Sequence, residues 1–261
     1  MLEEEGAEHV PLMRVHLFVP CYVDQVRPEV AFATATVLRR AGCEAVFDAQ
    51  QTCCGQPQAN SGDQRGAAVL ARRHLDLFRR APAGEAVVCP SGSCTSMVRT
   101  HYRHLGLDLD ARDQAVIDAT WELSDFLVNR LGITRLGARF PHRVGLHRSC
   151  HGLRELGLGC ASELMGPRDP GPTERLLAEV EGLVLVEAAR RDECCGFGGT
   201  FAVAEPELSA RMGEDRLDQF TQAGAEWITA ADFSCLMHLD GLAARRGGPR
   251  ALHLAEILAS R

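Results

Sequence analysis

Short apolar runs alternate along the chain with longer stretches of helical periodicity. Residues 15–19 and 86–89 are apolar runs of the length of buried strands. Residues 61–80 instead place apolar side chains every three or four positions, which is typical of an amphipathic helix. Residues 27–41 have the same period, and Gly42 ends it. This alternation predicts the α/β class, with parallel sheets covered by helices.

The second half of the chain repeats this order of elements. The segment 14–21 aligns with 143–150 at an offset of 129 positions. We therefore predict two homologous halves related by a pseudo-twofold axis, each a small, mainly parallel sheet with flanking helices. Further strands are predicted at 45–47, 144–147, 184–186, 227–229 and 251–254, and further helices at 173–178, 206–222 and 236–246.

The repeat also predicts the domain boundaries. We expect a flexible tail at 1–13, a first domain at 14–131 that includes a bridging helix at 122–131, and a second domain at 132–261. The second half carries 12 extra residues before its cysteine doublet. The Gly- and Pro-rich segment 157–172 is the predicted insertion, in the form of a loop.

Cysteines recur at matched spacing in the two halves. Each half has a Cys-Cys-Gly triplet, and another cysteine follows 40 positions after the second cysteine of each triplet. A further cysteine closes the first apolar run of each half. Because open parallel sheets bind ligands at the carboxyl ends of their strands, we expect each set of four to converge there. The two sets are Cys21, Cys53, Cys54 and Cys94, and Cys150, Cys194, Cys195 and Cys235.

Clustered thiolates support three kinds of chemistry: soft-metal binding, iron–sulfur ligation and thiol–disulfide exchange. Adjacent cysteines chelate one tetrahedral ion poorly, because their sulfurs diverge in extended chain, but they reach two irons of one cluster more easily. Gly55 and Gly196 allow the backbone to turn tightly behind each doublet. A zinc site and a thiol–disulfide enzyme both stay open as alternatives to an iron–sulfur protein.

Charge and composition bear on partners and on compartment. The net charge is −7, with no basic block and only two Trp and two Tyr, which argues against nucleic-acid binding. No apolar run approaches the roughly 18 residues of a membrane span. The acidic N-terminus does not have the pattern of a signal peptide. Eleven cysteines without such a signal predict a cytoplasmic protein with reduced thiols.

The repeated cysteine pattern resembles the tandem cysteine-rich, or CCG, domain family. The strings that carry the resemblance are Gln-Thr-Cys-Cys-Gly-Gln-Pro at 51–57, Pro-Ser-Gly-Ser-Cys at 90–94, Ser-Cys-His at 149–151 and Cys-Cys-Gly-Phe-Gly-Gly at 194–199. Related proteins include a cysteine-rich component of heterodisulfide reductase and the iron–sulfur component of glycolate oxidase. The resemblance implies one or two iron–sulfur clusters, with [4Fe–4S] favoured, held by the eight cysteines. Zinc at one site is a further possibility.

The resemblance is greatest to stand-alone two-domain members that serve lactate utilisation. It implies a cytoplasmic electron-transfer component that helps to oxidise L-lactate, or a related 2-hydroxy acid, to pyruvate. Other lactate-utilisation proteins, themselves iron–sulfur subunits, would be its partners, and the chain would be the non-flavin subunit of an oxidoreductase complex. The sequence offers no candidate for the group that takes the substrate proton or hydride, so the catalytic residues are unknown.

The chain departs from the full family pattern at the end of each repeat. Ser91 and Asp232 stand where that pattern has the first cysteine of a Cys-x-x-Cys pair. We expect Ser91 to cap a helix, whereas Asp232 is either a helix cap or an oxygen ligand. Strand-end packing is favoured over ligation for Cys89, and His151 either contacts the site or lies in a surface loop. Cys43 and Cys160 are expected to be buried core thiols.

Overall fold

A computed structural model describes residues 13–164 and 169–261. Residues 1–12 of the predicted tail and residues 165–168 of the predicted insertion loop lie outside this range. The strands are β1 (Met13–Leu17), β2 (Cys43–Val46), β3 (Ala86–Cys89), β4 (Thr120–Glu122), β5 (Arg143–Leu146), β6 (Val184–Val186), β7 (Trp227–Ala230) and β8 (Arg250–His253). The α-helices are α1 (Cys21–Val26), α2 (Glu29–Arg40), α3 (Gln56–Asn60), α4 (Gln64–Phe78), α5 (Gly92–Ser96), α6 (Ala111–Asp118), α7 (Leu123–Asp125), α8 (Pro172–Leu177), α9 (Phe201–Ala204), α10 (Pro206–Gln222), α11 (Phe233–Arg246) and α12 (Leu254–Ala259). Three π-helical turns lie at Met97–His101, Phe126–Arg130 and His151–Glu155, and a 3₁₀ turn at Tyr102–His104.

The strands form two four-stranded sheets in which every pairing is parallel. The first sheet has the order β2-β1-β3-β4, and the second has the equivalent order β6-β5-β7-β8. Each sheet therefore has a central strand, β1 or β5, whose carboxyl end leads towards the first cysteine of its half. The predicted α/β class and the two-halves repeat are confirmed.

The long helices form where the sequence pattern predicts them. Asp63 caps α4 by accepting a hydrogen bond from the Gly66 N–H at 2.9 Å. The apolar face of α4 then buries Ala71 and Leu75 completely. Pro206 occupies the first turn of α10, where its missing N–H leaves no hydrogen bond unmade. No helix in the described ranges is both long and apolar enough to cross a bilayer.

One apolar core is shared by both halves. It joins α2 of the first half to α12 of the second, through completely buried side chains such as Val37 and Ile257. The Arg40 guanidinium donates to the last carbonyls of α12, at 3.0 Å to Leu258 O and 2.6 Å to Ala259 O. These carbonyls have no partner within their own helix, so Arg40 caps α12 from the other half.

The sequence prediction missed several short elements, which are α1, α3, α6, α9 and β4, and several boundaries differ by one to three residues. β4 was missed because it is only three residues long, which is too short for a strand period to be recognised. The predicted bridging helix therefore begins at Leu123 rather than at Glu122. Glu122 ends β4 and accepts hydrogen bonds from the next amides as the N-cap. Met13, placed in the predicted tail, is the first residue of β1.

Candidate metal centre

All eight predicted site cysteines line one cavity between the two halves. Its volume is about 90 Å³, and the side chains of both cysteine sets face it. We call the first set the N-nest and the second set the C-nest. The N-nest consists of Cys21, Cys53, Cys54 and Cys94, and the C-nest consists of Cys150, Cys194, Cys195 and Cys235.

The N-nest is assembled by three helix starts at one edge of the first sheet. Cys21 begins α1 after β1, the doublet precedes α3, and Cys94 lies in the first turn of α5. The Cys54 and Cys94 sulfurs are 3.5 Å apart. Cys53 is half-buried and its neighbour Cys54 is buried, so the doublet spans the boundary between the cavity and the core.

Negative charge in the N-nest concentrates on two of its sulfurs. Hydrogen bonds from the Cys21 and Cys54 thiols lower the pKa of Cys53 to about 3. The same bonds raise the pKa of Cys21 and of Cys54, because those thiols act as the donors. Cys54 shares its one thiol proton between Cys53 and Cys94, and together with a hydrogen bond from Cys89 this holds the pKa of Cys94 well below its ordinary value. Thiolates are the form of cysteine that binds metal, and the lowered pKa of Cys53 and Cys94 favours this form at both residues.

Cys89 adds a fifth thiol to the first half. It is the last residue of β3, is fully buried, and donates a hydrogen bond to Cys94. The sequence analysis favoured strand-end packing, and Cys89 does pack there, but it also contacts the N-nest directly. The equivalent position in the second half is Ala230, so the C-nest has no such thiol.

The C-nest repeats the arrangement of the N-nest. Cys150 lies just before the π-helical turn His151–Glu155, and Cys235 lies in the first turn of α11. Hydrogen bonds from the Cys150 and Cys195 thiols lower the pKa of Cys194 to about 2. The Gly196 and Phe197 N–H groups donate to the sulfurs of Cys194 and Cys195 at 3.3 and 3.5 Å. Such amides favour anionic sulfur.

The two glycines of the triplets are required by the backbone. Gly55 and Gly196 have φ of +89° and +87°, in the left-handed region that L side chains rarely adopt. A Cβ on Gly196 would lie 2.6 Å from the Ser209 carbonyl oxygen, and one on Gly55 would lie 3.1 Å from that of Ala67. Only glycine therefore fits between each doublet and the long helix behind it.

His147 lies beside the C-nest, although its position at the end of the predicted strand 144–147 gave no sign of such a role. One ring nitrogen of His147 lies within 4.8 Å of the sulfurs of Cys195 and Cys235. The repeat offset aligns His147 with the fully buried Phe18 of the first half. A polar residue opposite a core phenylalanine was the signal in the sequence that could have identified it.

Ser91 and Asp232 meet each other across the pseudo-twofold. They form an antiparallel bridge that joins the two halves, and each caps the helix that carries the last cysteine of its half. The Asp232 carboxylate accepts from the Ser93 N–H at 2.6 Å and from the Ser234 hydroxyl at 2.5 Å. Of the two roles open for Asp232, the structure displays the helix cap, and its carboxylate oxygens are already hydrogen-bonded.

The other candidates lie at the edge of the site or outside it. The His151 ring nitrogen Nε2 is 3.2 Å from Gln56 Nε2, so this pair spans the cavity between the halves. Cys43 is buried as expected, in the shared core. Cys160 is only partly buried, contrary to the prediction of a core thiol, because it lies in the loop that follows the turn of Cys150.

The comparisons with known proteins agree with this geometry. The model of the cysteine-rich (CCG) domain family matches residues 15–99 and 144–240, one segment in each half. The chain belongs to the CCG cysteine-rich domain family. Both matched segments contain a complete nest, so the family repeat and the structural repeat coincide.

Several curated relatives of this CCG protein carry one name. It is 41% identical over 248 residues to lactate utilization protein A of an Exiguobacterium species, covering 94% of this chain and 96% of that one. It is 40% identical over 254 residues to lactate utilization protein A of Bacillus subtilis, covering 95% and 100%. A solved structure, a hypothetical protein from Helicobacter pylori, shares the fold with a TM-score of 0.60 at 11% identity. That match covers 95% of this chain and 48% of the other.

The donor set of each nest fits an iron–sulfur cluster. Four cysteine sulfurs from three separate segments converge, and thiolates are the ligands of such clusters. The second doublet cysteine is buried in each half, and backbone amides reach sulfurs of both doublets. The clustered cysteines of a CCG protein thus indicate metal or iron–sulfur binding.

Proposed function

We propose that this CCG protein is an iron–sulfur electron-transfer component of a cytoplasmic system that oxidises L-lactate, or a related 2-hydroxy acid, to pyruvate. Two independent findings support the proposal. The relatives that it matches over nearly their whole length are named lactate utilization protein A. The eight thiols form two nests suited to iron–sulfur clusters, with [4Fe–4S] favoured.

The shared cavity is the observation that carries the electron-transfer role. Electron transfer between two clusters requires that they lie close together, and a shared cavity meets that requirement. Here both nests open towards each other across Gln56 and His151. When bound, an iron–sulfur cluster accepts and releases single electrons, and two neighbouring sites extend the distance over which electrons pass.

The residues of the chain hold such a group and control its surroundings. The low pKa of Cys53 and of Cys194 supplies one thiolate of each doublet at neutral pH. Gly55 and Gly196 point their N–H groups at these sulfurs, at 3.4 and 3.3 Å. Buried Cys54 and Cys195 keep the inner side of each site away from water. These features together favour an anionic, partly dry ligand set.

We infer that substrate oxidation is shared with partner proteins. Apart from cysteines, the cavity is lined mainly by amide, hydroxyl and aromatic groups, such as Gln56, Asn60 and Tyr22. Among the described residues, His151 is the one imidazole on this lining, and Gln56 already contacts it. The described part of the lining offers no arrangement of an acid and a base around a hydroxy acid. The proposed partners are other iron–sulfur proteins of lactate utilisation.

Serine substitutions test the two sites separately. Cys54→Ser and Cys195→Ser should each remove part of the visible charge-transfer absorption of anaerobically prepared protein, because each deletes one buried ligand. The far-ultraviolet circular dichroism spectrum should not change. Cys160→Ser, outside both nests, is the matched control and should keep the full absorption. Unchanged absorption in both nest variants would refute the assignment.

A zinc site and thiol–disulfide exchange each have one specific observation behind them. A histidine nitrogen beside Cys195 and Cys235 resembles a zinc donor set. The low pKa of half-buried Cys53 is typical of a reactive thiol. Zinc without iron in protein made anaerobically would favour the first alternative. Protein without any metal but with a titratable dithiol would favour the second.

A further inference from the structure

Among the residues that the structure describes, a fully buried cation lies behind the C-nest and none lies behind the N-nest. Arg216 in α10 is completely buried, yet no carboxylate of the described residues forms a salt bridge with it. Its Nη2 donates to the Arg191 carbonyl at 3.0 Å, its Nη1 donates to Gln219 Oε1 at 3.0 Å, and its guanidinium lies 4.3 Å from the centre of the Phe220 ring. Burial lowers the pKa of Arg216 to about 10, so the side chain stays charged at neutral pH.

Arg216 acts on the C-nest through His147. The Arg216 Nε–H donates to His147 Nδ1 at 3.3 Å. A guanidinium is only a donor, so Nδ1 must carry the lone pair and the ring proton must sit on Nε2. A ring with a lone pair on Nδ1 carries a single proton, so the imidazole is neutral. The result is a neutral imidazole held between the buried guanidinium and the sulfurs of Cys195 and Cys235.

The first half has neutral groups at the equivalent positions. Gly55 approaches α4 at Ala67, and Gly196 approaches α10 at Ser209, which aligns the two helices. Seven residues further on in each helix stand His74 and Arg216. His74 is buried, its pKa is lowered to about 3 by burial, and its ring packs 4.7 Å from that of Phe18. An uncharged ring pair, Phe18 and His74, therefore occupies the place of His147 and the charged Arg216.

The electrostatic surroundings of the two nests therefore differ. Cys89 is a neutral thiol that donates to Cys94, so it adds no negative charge to the N-nest. A nearby cation favours an added electron, and the structure places buried Arg216 behind the C-nest. The two sites should therefore differ in redox potential although their four main ligands are equivalent.

We propose that Arg216 and His147 are positioning residues that make the C-nest the more easily reduced of the two sites. This inference rests on the proposed iron–sulfur function. An added electron should therefore reside preferentially at the site of the second half. The two sites are then reduced in a fixed order and not equally. The ligands themselves are not altered.

The test is a redox titration monitored by electron paramagnetic resonance. The protein is prepared anaerobically and carries Cys54→Ser, so that only the C-nest contributes a signal. His147→Phe copies the first half and should make the site harder to reduce, by about tenfold in the one-electron equilibrium constant, or ~59 mV. His147→Gln keeps an N–H donor and should retain most of the potential. Arg216→Met should lower the potential similarly, whereas Arg216→Lys should not. If Arg216→Met does not fold, the two His147 variants decide.

The reciprocal variant provides an independent check. Phe18→His with His74→Arg, in a Cys195→Ser background, should raise the potential of the N-nest. Iron sites that form in all variants with unchanged potentials would overturn the inference and leave the proposed function intact. Loss of iron in His147→Phe would also overturn it, because His147 would then be a ligand. Absence of any iron site in the unmodified protein would instead refute the proposed function, and the inference with it.

Discussion

At the scale of single residues, the two cysteines of each doublet have opposite acid–base character. Cys53 and Cys194 have a strongly lowered pKa, while Cys54 and Cys195 donate to them and have a raised one. Metal binding requires deprotonated ligands. The half-buried cysteine of each doublet is therefore the first to offer a thiolate, and the buried one must lose its proton as the site fills.

Glu122 is a second residue whose protonation depends on burial. It is completely buried, and its Oε2 accepts from the Ser124 and Asp125 N–H groups, at 2.8 and 3.1 Å, at the start of α7. Its Oε1 has no hydrogen-bond partner among the described residues. Burial raises the pKa of Glu122 to about 7, so the folded protein takes up a proton there that the unfolded chain releases.

This predicts a pH-dependent stability that Glu122→Gln should remove. Between the ordinary value of 4.5 and about 7 the folded state binds the extra proton, so the free energy of unfolding falls as the pH rises through this window. Above pH 7 the variant should be more stable than the unmodified protein by about 3 kcal/mol, and below pH 4.5 the difference should vanish. Urea unfolding at pH 5 and pH 8 measures it. Exposed Glu44→Gln is the control, and an equal difference at both pH values would contradict the account.

At the scale of elements, the tight turn behind each doublet is the part that tolerates least change. Gly196→Ala places a Cβ 2.6 Å from the Ser209 carbonyl, so α10 must shift. We expect a loss of roughly 3 kcal/mol or more in the free energy of unfolding. Gly42→Ala is the matched control: its φ is +78°, but nothing lies within 4 Å of its Cβ, so it should lose only about 1 kcal/mol. Equal losses in thermal unfolding would show that the helix contact is unimportant.

The sequence predicted those elements well that are long enough for their periodicity to be recognised. Residues 206–222 match α10 and 86–89 match β3, because a long amphipathic helix and a fully apolar run are both unambiguous. β4 was not predicted because its three residues are too few to show an apolar alternation. Its strand conformation is stabilised by pairing with β3. Such tertiary stabilisation of a short strand is not encoded in its local pattern.

At the scale of the whole molecule, the two halves are joined at the site and again at the far core. The Ser91–Asp232 bridge lies beside the nests, and the contact of α2 with α12 lies in the shared apolar core. The first joint links equivalent positions of the repeat, because Ser91 and Asp232 are separated by the offset of 141 positions. The cavity between the nests therefore depends on how the halves pack and not on either half alone.

Arg40→Ala should weaken the joint between the halves. It removes the donors to Leu258 O and Ala259 O and leaves the end of α12 without its cap. We expect a loss of about 1–2 kcal/mol in the free energy of unfolding, measured by chemical denaturation. Arg39→Ala is the control, because Arg39 is exposed in the same turn of α2. A similar loss in both variants would contradict the assigned role.

The sequence predicted only those site residues that occur at equivalent positions in both halves. The 40-residue spacing, present twice, identified eight cysteines that the structure brings to one cavity. His147, Arg216 and Cys89 were not assigned to the site, because each occurs in one half only and has no counterpart in the repeat. Their proximity to the sulfurs follows from helix and strand packing, which pairs residues such as His147 and Arg216 that are 69 positions apart.

The measurement that tests the account most directly is the iron and acid-labile sulfide content of protein prepared without oxygen. Two nests of four thiolates predict bound iron and sulfide in equal amounts, with a paramagnetic signal on reduction. Cys54→Ser and Cys195→Ser together should abolish both. A protein that holds neither iron nor sulfide under these conditions, or that retains them after both substitutions, would contradict the central claim.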